Sequence, residues 1–509
     1  MPTNSSLIEP KAINEISYTL YYGTFIHTPS LKELDISFNT IVGVNNLGVI
    51  DFIHKNYNPD HHNNMSPVQF FIKNRHFDFI DYSQEPTKFF VPGFIDTHIH
   101  ASQFPNIGIG LDCPLLDWLN NYTFPLENEF TNSNSTDSKL KFAKDIYSQV
   151  IEKTLNNGTT CASYFTTIDP QTTNLFAELL LRFGQRGFVG KVCMDHNETY
   201  ADYSETFEEC IDSMNAIINH LHNLNPQDEI LVKPIITPRF APVCTRDLLF
   251  FLGQLSKSHN LPIQTHISEN EKEIELVHDL FPDCEDYASV YNKHNLLGES
   301  TILAHAIHLT KKERKIIKQK NCSISHCPTS NTFISSGEAP IKKYLYEDEI
   351  NVSLGTDVSG GFDSSILAII KHCILVSHHL AMKTKNQKDK LSINDALFMA
   401  TQGGAQAVGM ADQIGTFELG KKFDVQLIDL KSEDSNVDVF DWQLPFKEHH
   451  TSIENHKSLS KDEQSKKMFD LLGKWIFSGD DRNCVKVWCN GRLVVNKVRY
   501  NHDDRWVMC

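Results

Sequence analysis

Two histidines separated by one residue, His98 and His100, leave the apolar run that contains Phe90, Val91, Phe94 and Ile95. On a strand, residues i and i+2 share a face, so these two imidazoles would stand side by side. Such a pair is half of a tetrahedral zinc site. With 24 histidines in 509 residues the spacing also arises by chance. His220-Leu221-His222 is such a case, because its helix-like setting puts i and i+2 on different faces. What sets His98-Ile99-His100 apart is its place at the end of an apolar strand, with further ligand-type residues ending later ones. His266, His305 and Asp357 stand at the ends of three such runs.

Three neutral imidazoles and one carboxylate suit zinc, with a position left for water. Zinc lowers the pKa of its water to about 7, which supplies hydroxide at neutral pH. A proton carrier is then needed. Glu269, three residues past His266 in His266-Ile267-Ser268-Glu269, is the natural shuttle; its plainer role would be a carboxylate in the first turn of a helix. His305 is open to two roles, a further ligand or a donor that orients the hydroxide. His308 and His326, near the ends of strands six and seven, read as hydrogen-bonding neighbours of the site. His61, His62, His378 and His379 read as loop or helix residues. Lys233 raises the idea of a carbamylated lysine bridging two metals, but it falls mid-strand, so a single metal is expected.

These residues need a scaffold that brings strand ends together. Eight apolar runs alternate with longer amphipathic or polar stretches: 89–97, 158–165, 187–194, 230–237, 261–265, 301–304, 322–325 and 351–355. Eight parallel strands, each followed by a helix, close into a (β/α)8 TIM-like barrel whose chemistry sits at the C-terminal strand ends. Before it, the runs 16–25, 40–44 and 68–72 read as β-structure without helical period. After it, 414–430 returns to short β-like runs, and Asn490-Gly491 marks a hairpin turn inside 485–495. The expected organisation is α/β. Residues 1–88 and 415–509 build one small β-sandwich from both chain termini, and 89–414 forms the barrel. Residues 431–472 read as a polar insert with its own helix, and 131–138 as a solvent-facing loop.

Composition narrows the partners. There are 47 basic and 64 acidic residues, for a net charge of −17. That balance speaks against nucleic acid or an anionic membrane surface, which call for clustered Lys and Arg. No uninterrupted run approaches 18 apolar residues, so no membrane span is expected. Residues 1–11 lack the apolar core of a secretory signal. The 12 cysteines form no Cys-x-x-Cys pair and read as reduced thiols, which places the chain in the cytoplasm. The absence of that pair also excludes the deaminase fold built on His-x-Glu and Pro-Cys-x-x-Cys.

The order His98-x-His100, His266, His305, Asp357 resembles the amidohydrolase superfamily of mononuclear zinc deaminases. Longer stretches resemble its guanine deaminase family. They are Pro92 to Gln103, Pro114 to Leu119, Tyr122 to Pro125, Thr237 to Phe240, Thr265 to Glu269, Ser325 to Pro328 and Gly479 to Asn483. The resemblance implies one zinc ion per chain on His98, His100, His266 and Asp357. It implies purine contacts from Gln103, Arg239 and Phe240 beside His266, Glu269 and Asp357, together with homodimers and a place in purine breakdown. The expected reaction is attack of zinc hydroxide on guanine C2, with Glu269 and Asp357 shuttling protons and His305 assisting, to give xanthine and ammonia. Arg239 can donate to a purine acceptor, Gln103 can donate and accept, and Phe240 offers an aromatic face. The plainer reading of Arg239 is a surface salt bridge.

Overall fold

The computed structural model describes residues 18–57, 77–110, 112–131, 135–226, 230–446 and 459–497. The expected run at 68–72, His61 and His62 lie outside these residues. Eight parallel strands follow one another around the barrel: Phe94–His100, Thr159–Phe165, Arg186–Gly190, Val232–Pro234, Ile263–Ile267, Thr301–His305, Ser323–His326 and Asn351–Leu354. Strands three and four are extended past short breaks by Val192–Cys193 and Thr237–Pro238, which pair with each other. A parallel bridge from Ile236 to Ile263 joins strands four and five. The last gap closes where Asp357 N donates to His98 O at 2.8 Å and His100 N donates to Val358 O at 3.1 Å.

The barrel interior is unusually polar for this fold. Thr97 Oγ1 lies 2.7 Å from both Ser325 Oγ and Ser353 Oγ, and Ser163 Oγ donates to Gln264 Oε1 at 2.7 Å. Each buried hydroxyl in this layer has a partner, so it is tolerated where branched aliphatics would be ordinary. It forms a rigid floor beneath the strand ends.

Both chain ends meet in the second lobe. Its sheet runs in the order Arg492–Asn496, Cys484–Cys489, Val425–Asp429, Lys88–Pro92, Tyr18–Ser30, Glu33–Asn45, Ile50–His54, and Phe77–Asp81 pairs with Tyr18–Ser30. The strand Tyr18–Ser30 pairs with Phe77–Asp81 through Tyr18 to Tyr22, then with Lys88–Pro92 at Phe25. That change of partner, beside a bulge after Gly23, folds the sheet around an aromatic core of Tyr21, Phe25, Phe90, Phe423 and Trp488. Tyr21 stacks on Phe423 at 4.3 Å and Phe25 on Phe90 at 4.6 Å.

The run 89–97, read as one strand, divides at Gly93. Lys88–Pro92 pairs with Val425–Asp429 in the terminal lobe, and the barrel begins at Phe94. A Cβ on Gly93 would sit 2.2 Å from Thr160 Oγ1, so only glycine allows this passage between lobes. The expected loop 131–138 is also shorter than read. Ser135 caps a helix, Thr136–Asn156, by accepting from Ser138 N. The polar insert contributes the helix Lys461–Ser478, whose Trp475 stacks on Phe94 at 6.0 Å and meets Phe89 edge-on at 5.7 Å. Its apolar face therefore seals the junction of barrel and lobe.

One helix, Ile366–Thr384, is long and apolar enough by length and composition to cross a membrane. Lys371, His372, His378 and His379 interrupt its apolar residues. Ile366, Leu367, Ile369, Ile370 and Cys373 are buried, and the helix packs on the first and eighth barrel strands.

Candidate metal centre

His98 and His100 point from the first strand into the barrel mouth, as the i, i+2 spacing requires. His266 comes from the fifth strand, and Asp357 stands three residues past the eighth. One ligand atom from each of these four residues falls within 4.8 Å of all the others. His98 Nε2 lies 3.1 Å and His100 Nε2 3.4 Å from Asp357 Oδ1, and His100 Nε2 lies 3.3 Å from His266 Nε2. His305 ends the sixth strand, its Nε2 3.5 Å from Glu269 Oε2 and 3.7 Å from Asp357 Oδ2.

The backbone around these groups is bent to aim them. Ser268, His305, Ala306 and Asp357 all have left-handed φ, at 48°, 69°, 49° and 49°. Non-glycine residues hold such angles only where their surroundings over-determine them. Here Ala306 N donates to Ile267 O, and Asp357 N to His98 O, across neighbouring strand ends. Asp96 accepts from His98 N, Thr356 N and Thr356 Oγ1, which ties the ligand strand to the loop that carries Asp357. A Cβ on Gly355 would lie 2.7 Å from His98 Cβ, so the loop leaves the strand only through a glycine.

The donor set fits a metal. Burial, above all, pushes His98, His100 and His266 below the ordinary imidazole range, so the three rings are neutral at pH 7. Asp357 is held below the ordinary carboxylate range; burial opposes this, and the facing His98, His305 and His100 rings overcome it. His266 Nδ1–H donates to Arg239 O at 2.5 Å, which leaves Nε2 as a bare lone pair facing the other ligands. Both ring nitrogens of His98, fully buried, have no hydrogen-bond partner despite the carboxylate 3.1 Å away. Unprotonated nitrogens and a carboxylate oxygen aimed at one point are what a cation satisfies.

Glu269 is placed before the N-cap Asn270 of the helix Glu271–Leu280, not in its first turn. It is buried on the pocket wall, and burial, the Asp357 charge and Glu273 raise its pKa well above the ordinary range. Its loop is pinned by Glu273, which accepts from Glu269 N and Asn270 N and from the Tyr287 hydroxyl.

Beside the metal centre opens a cleft lined by Gln103, Arg239, Phe240, Leu115, Trp118 and Ile334 together with His100, His266 and His305. Arg239 is 2% exposed, so it is no surface ion pair. Its Nη1 pairs with Glu127 Oε2 at 2.5 Å and its guanidinium lies 5.0 Å from the Phe124 ring. Gln103 Nε2 donates to Glu127 Oε1 at 2.9 Å, and Gln103 Oε1 accepts from Ser359 N at 3.3 Å. Glu127 escaped the sequence reading, although it sits two residues after the Tyr122 to Pro125 stretch. Asn331, whose Oδ1 accepts from His305 Nδ1 at 2.8 Å, escaped it too.

The remaining candidates fall elsewhere. His308 Nε2 donates to Ser336 O, and His326 is buried below the mouth, its pKa pushed by burial down to about 3. Lys233 lies over the Phe188 ring in the fourth strand, away from the ligands.

Residues 89–494 match the model of the amidohydrolase family. The chain belongs to that family. Among curated relatives, a probable guanine deaminase of Schizosaccharomyces pombe is 43% identical, over 93% of this chain and 83% of its own length. A guanine deaminase of Homo sapiens is 37% identical, over 94% of this chain and 96% of its own. The solved guanine deaminase of C. acetobutylicum, with bound guanine in its active site, superposes with a TM-score of 0.75 at 32% identity. It covers 94% of this chain and 99% of that one. The likeness to guanine deaminases read from the motifs is borne out. Deaminases of the amidohydrolase family are metalloenzymes, and the His98, His100, His266 and Asp357 cluster fits a metal site.

Proposed function

We infer that this chain hydrolyses guanine to xanthine and ammonia, with zinc held by His98, His100, His266 and Asp357. The observation that carries the reading is the junction, in one cleft, of four converging ligands with a buried arginine, glutamine and phenylalanine of purine-binding type. Relatives named guanine deaminases along nearly the whole chain support it.

Zinc in this position supplies Lewis acidity, which makes water nucleophilic near neutral pH. The chain's own groups do the rest. Phe240 and Arg239 orient the flat ring so that C2 faces the ligand cluster, and Gln103 reads a donor and an acceptor on its edge. Glu269, protonated by virtue of its burial, delivers a proton to a ring nitrogen as water adds at C2. Of the two protons that water gives up, one returns to Glu269 and the other passes through Asp357 to the exocyclic amine, which departs as ammonia. His305, fixed by Asn331, offers Nε2 to the tetrahedral carbon's oxygen. The enclosing walls of Leu115, Trp118 and Ile334 keep bulk water from competing.

The proposal extends to a cytoplasmic homodimer that binds neither nucleic acid nor membrane. Conversion of guanine to xanthine, followed in the ultraviolet with and without a chelator, tests the activity. Guanine turnover that stops on chelation and returns with zinc is expected. Release of ammonia from cytosine, a triazine or an adenine derivative in preference to guanine would overturn it.

A further inference from the structure

Glu127 lies outside the cleft wall, and its side chain is fully buried behind the purine-recognition residues. Its two oxygens serve two partners: Oε1 takes the Gln103 amide at 2.9 Å and Oε2 takes Arg239 Nη1 at 2.5 Å. A carboxylate only accepts, so Glu127 dictates that Gln103 turns its NH2 group inward and leaves the carbonyl for Ser359 N. Arg239, with one donor on Glu127 and its guanidinium 5.0 Å from the Phe124 ring, is held on the cleft wall with N–H groups beyond the one spent on Glu127.

The charges balance within this trio: one guanidinium, one carboxylate and one amide. Other titratable groups facing the pair are the Tyr203 and Tyr147 phenols and the His100 ring. Both phenols are kept un-ionised, by burial first. The recognition end of the cleft therefore meets the purine with donors but without net charge.

On the reading that guanine becomes xanthine, substrate and product differ in two ways. An amino donor becomes a carbonyl acceptor, and a neutral base becomes a weak acid that ionises close to neutral pH. An arginine without its carboxylate would hold the product anion. We propose that Glu127 is a positioning residue that neutralises Arg239, aligns it with Gln103, and so sets the pocket's preference for neutral guanine over anionic xanthine. Glu127 acts through its neighbours and touches no reacting atom.

The test compares the zinc-loaded wild type with Glu127→Gln. Guanine kinetics are measured together with calorimetric binding of xanthine from mildly acidic to mildly alkaline pH. The expected result is a KM for guanine raised roughly tenfold or more with kcat and metal content little changed. Xanthine affinity should rise with pH in Glu127→Gln and not in the wild type. Glu127→Asp, which keeps the charge, should return the flat xanthine profile while retaining part of the KM defect. Arg239→Gln inverts the sign, because Glu127 is then unpaired and xanthine binding should weaken as pH rises. It carries the test should Glu127→Gln fail to fold. Parallel xanthine profiles in all variants, or a loss of kcat, metal and affinity in equal measure, would overturn the proposal. A wild type that releases no ammonia from guanine, beside a Glu127→Gln that still gains xanthine affinity with pH, would sink the assigned reaction and support the charge pairing.

Discussion

At one end of the cleft the neutral His98, His100 and His266 rings converge on the Asp357 carboxylate, and both His98 nitrogens are left without a hydrogen-bond partner. At the other end Glu127 holds the Gln103 amide and one Arg239 nitrogen, and Gln103 Oε1 accepts from Ser359 N, so both side chains are aligned while Arg239 has donors beyond the one spent on Glu127. The metal end is complete only with a cation, because neutral imidazoles and a buried carboxylate have nothing else to bind. The recognition end is finished before any ligand arrives, which lowers the ordering cost of binding a small flat base. A single residue joins them. The Arg239 carbonyl accepts from the His266 ring while its guanidinium is held by Glu127, so this residue is shared by both ends.

The largest loss of function is expected at the metal end. Replacing His100 by Ala should abolish metal binding and reduce ammonia release from guanine by several orders of magnitude, read by elemental analysis and a coupled assay. Xanthine binding should survive in that variant, since the recognition set does not depend on the ion. Glu269→Gln should separate chemistry from metal binding, with the metal retained and kcat lowered about 10²- to 10⁴-fold. Near-normal turnover would remove Glu269 from the proton path. Arg239→Lys should act on the other end, raising KM roughly ten- to hundredfold through loss of the planar fork, with a smaller change in kcat. Smallest is the effect of chelation on stability. The melting temperature should fall by several degrees and recover with added zinc, as binding to the folded form alone requires. An unchanged melting curve would mean the four ligands are not coupled to the fold.

The convergence of these side chains was legible because chemistry and periodicity coincide there. A barrel places its working residues at strand ends, and His98, His100, His266, His305 and Asp357 each close an apolar run. The division at Gly93 was not legible, because the run carries no polar residue from Phe89 to Ile95 and only the pairing of Lys88–Pro92 with Val425–Asp429 reveals it. Glu127 was hidden for a different reason. It belongs to a short helix, Phe124–Asn128, and meets Arg239 across 112 positions of chain, a contact that no local pattern announces. The polar barrel floor of Thr97, Ser325 and Ser353 reads in sequence as ordinary strand serine and threonine; only convergence from three strands makes it a layer.

The most direct test of the central claim is to titrate zinc into the metal-free protein while counting bound ions and following guanine turnover. Activity should rise in step with binding and reach its plateau at a single ion per chain, with His98→Ala, His100→Ala, His266→Ala and Asp357→Ala each failing to respond. Full turnover by protein that holds no metal, or an undiminished response after removal of any one of those four side chains, would contradict it.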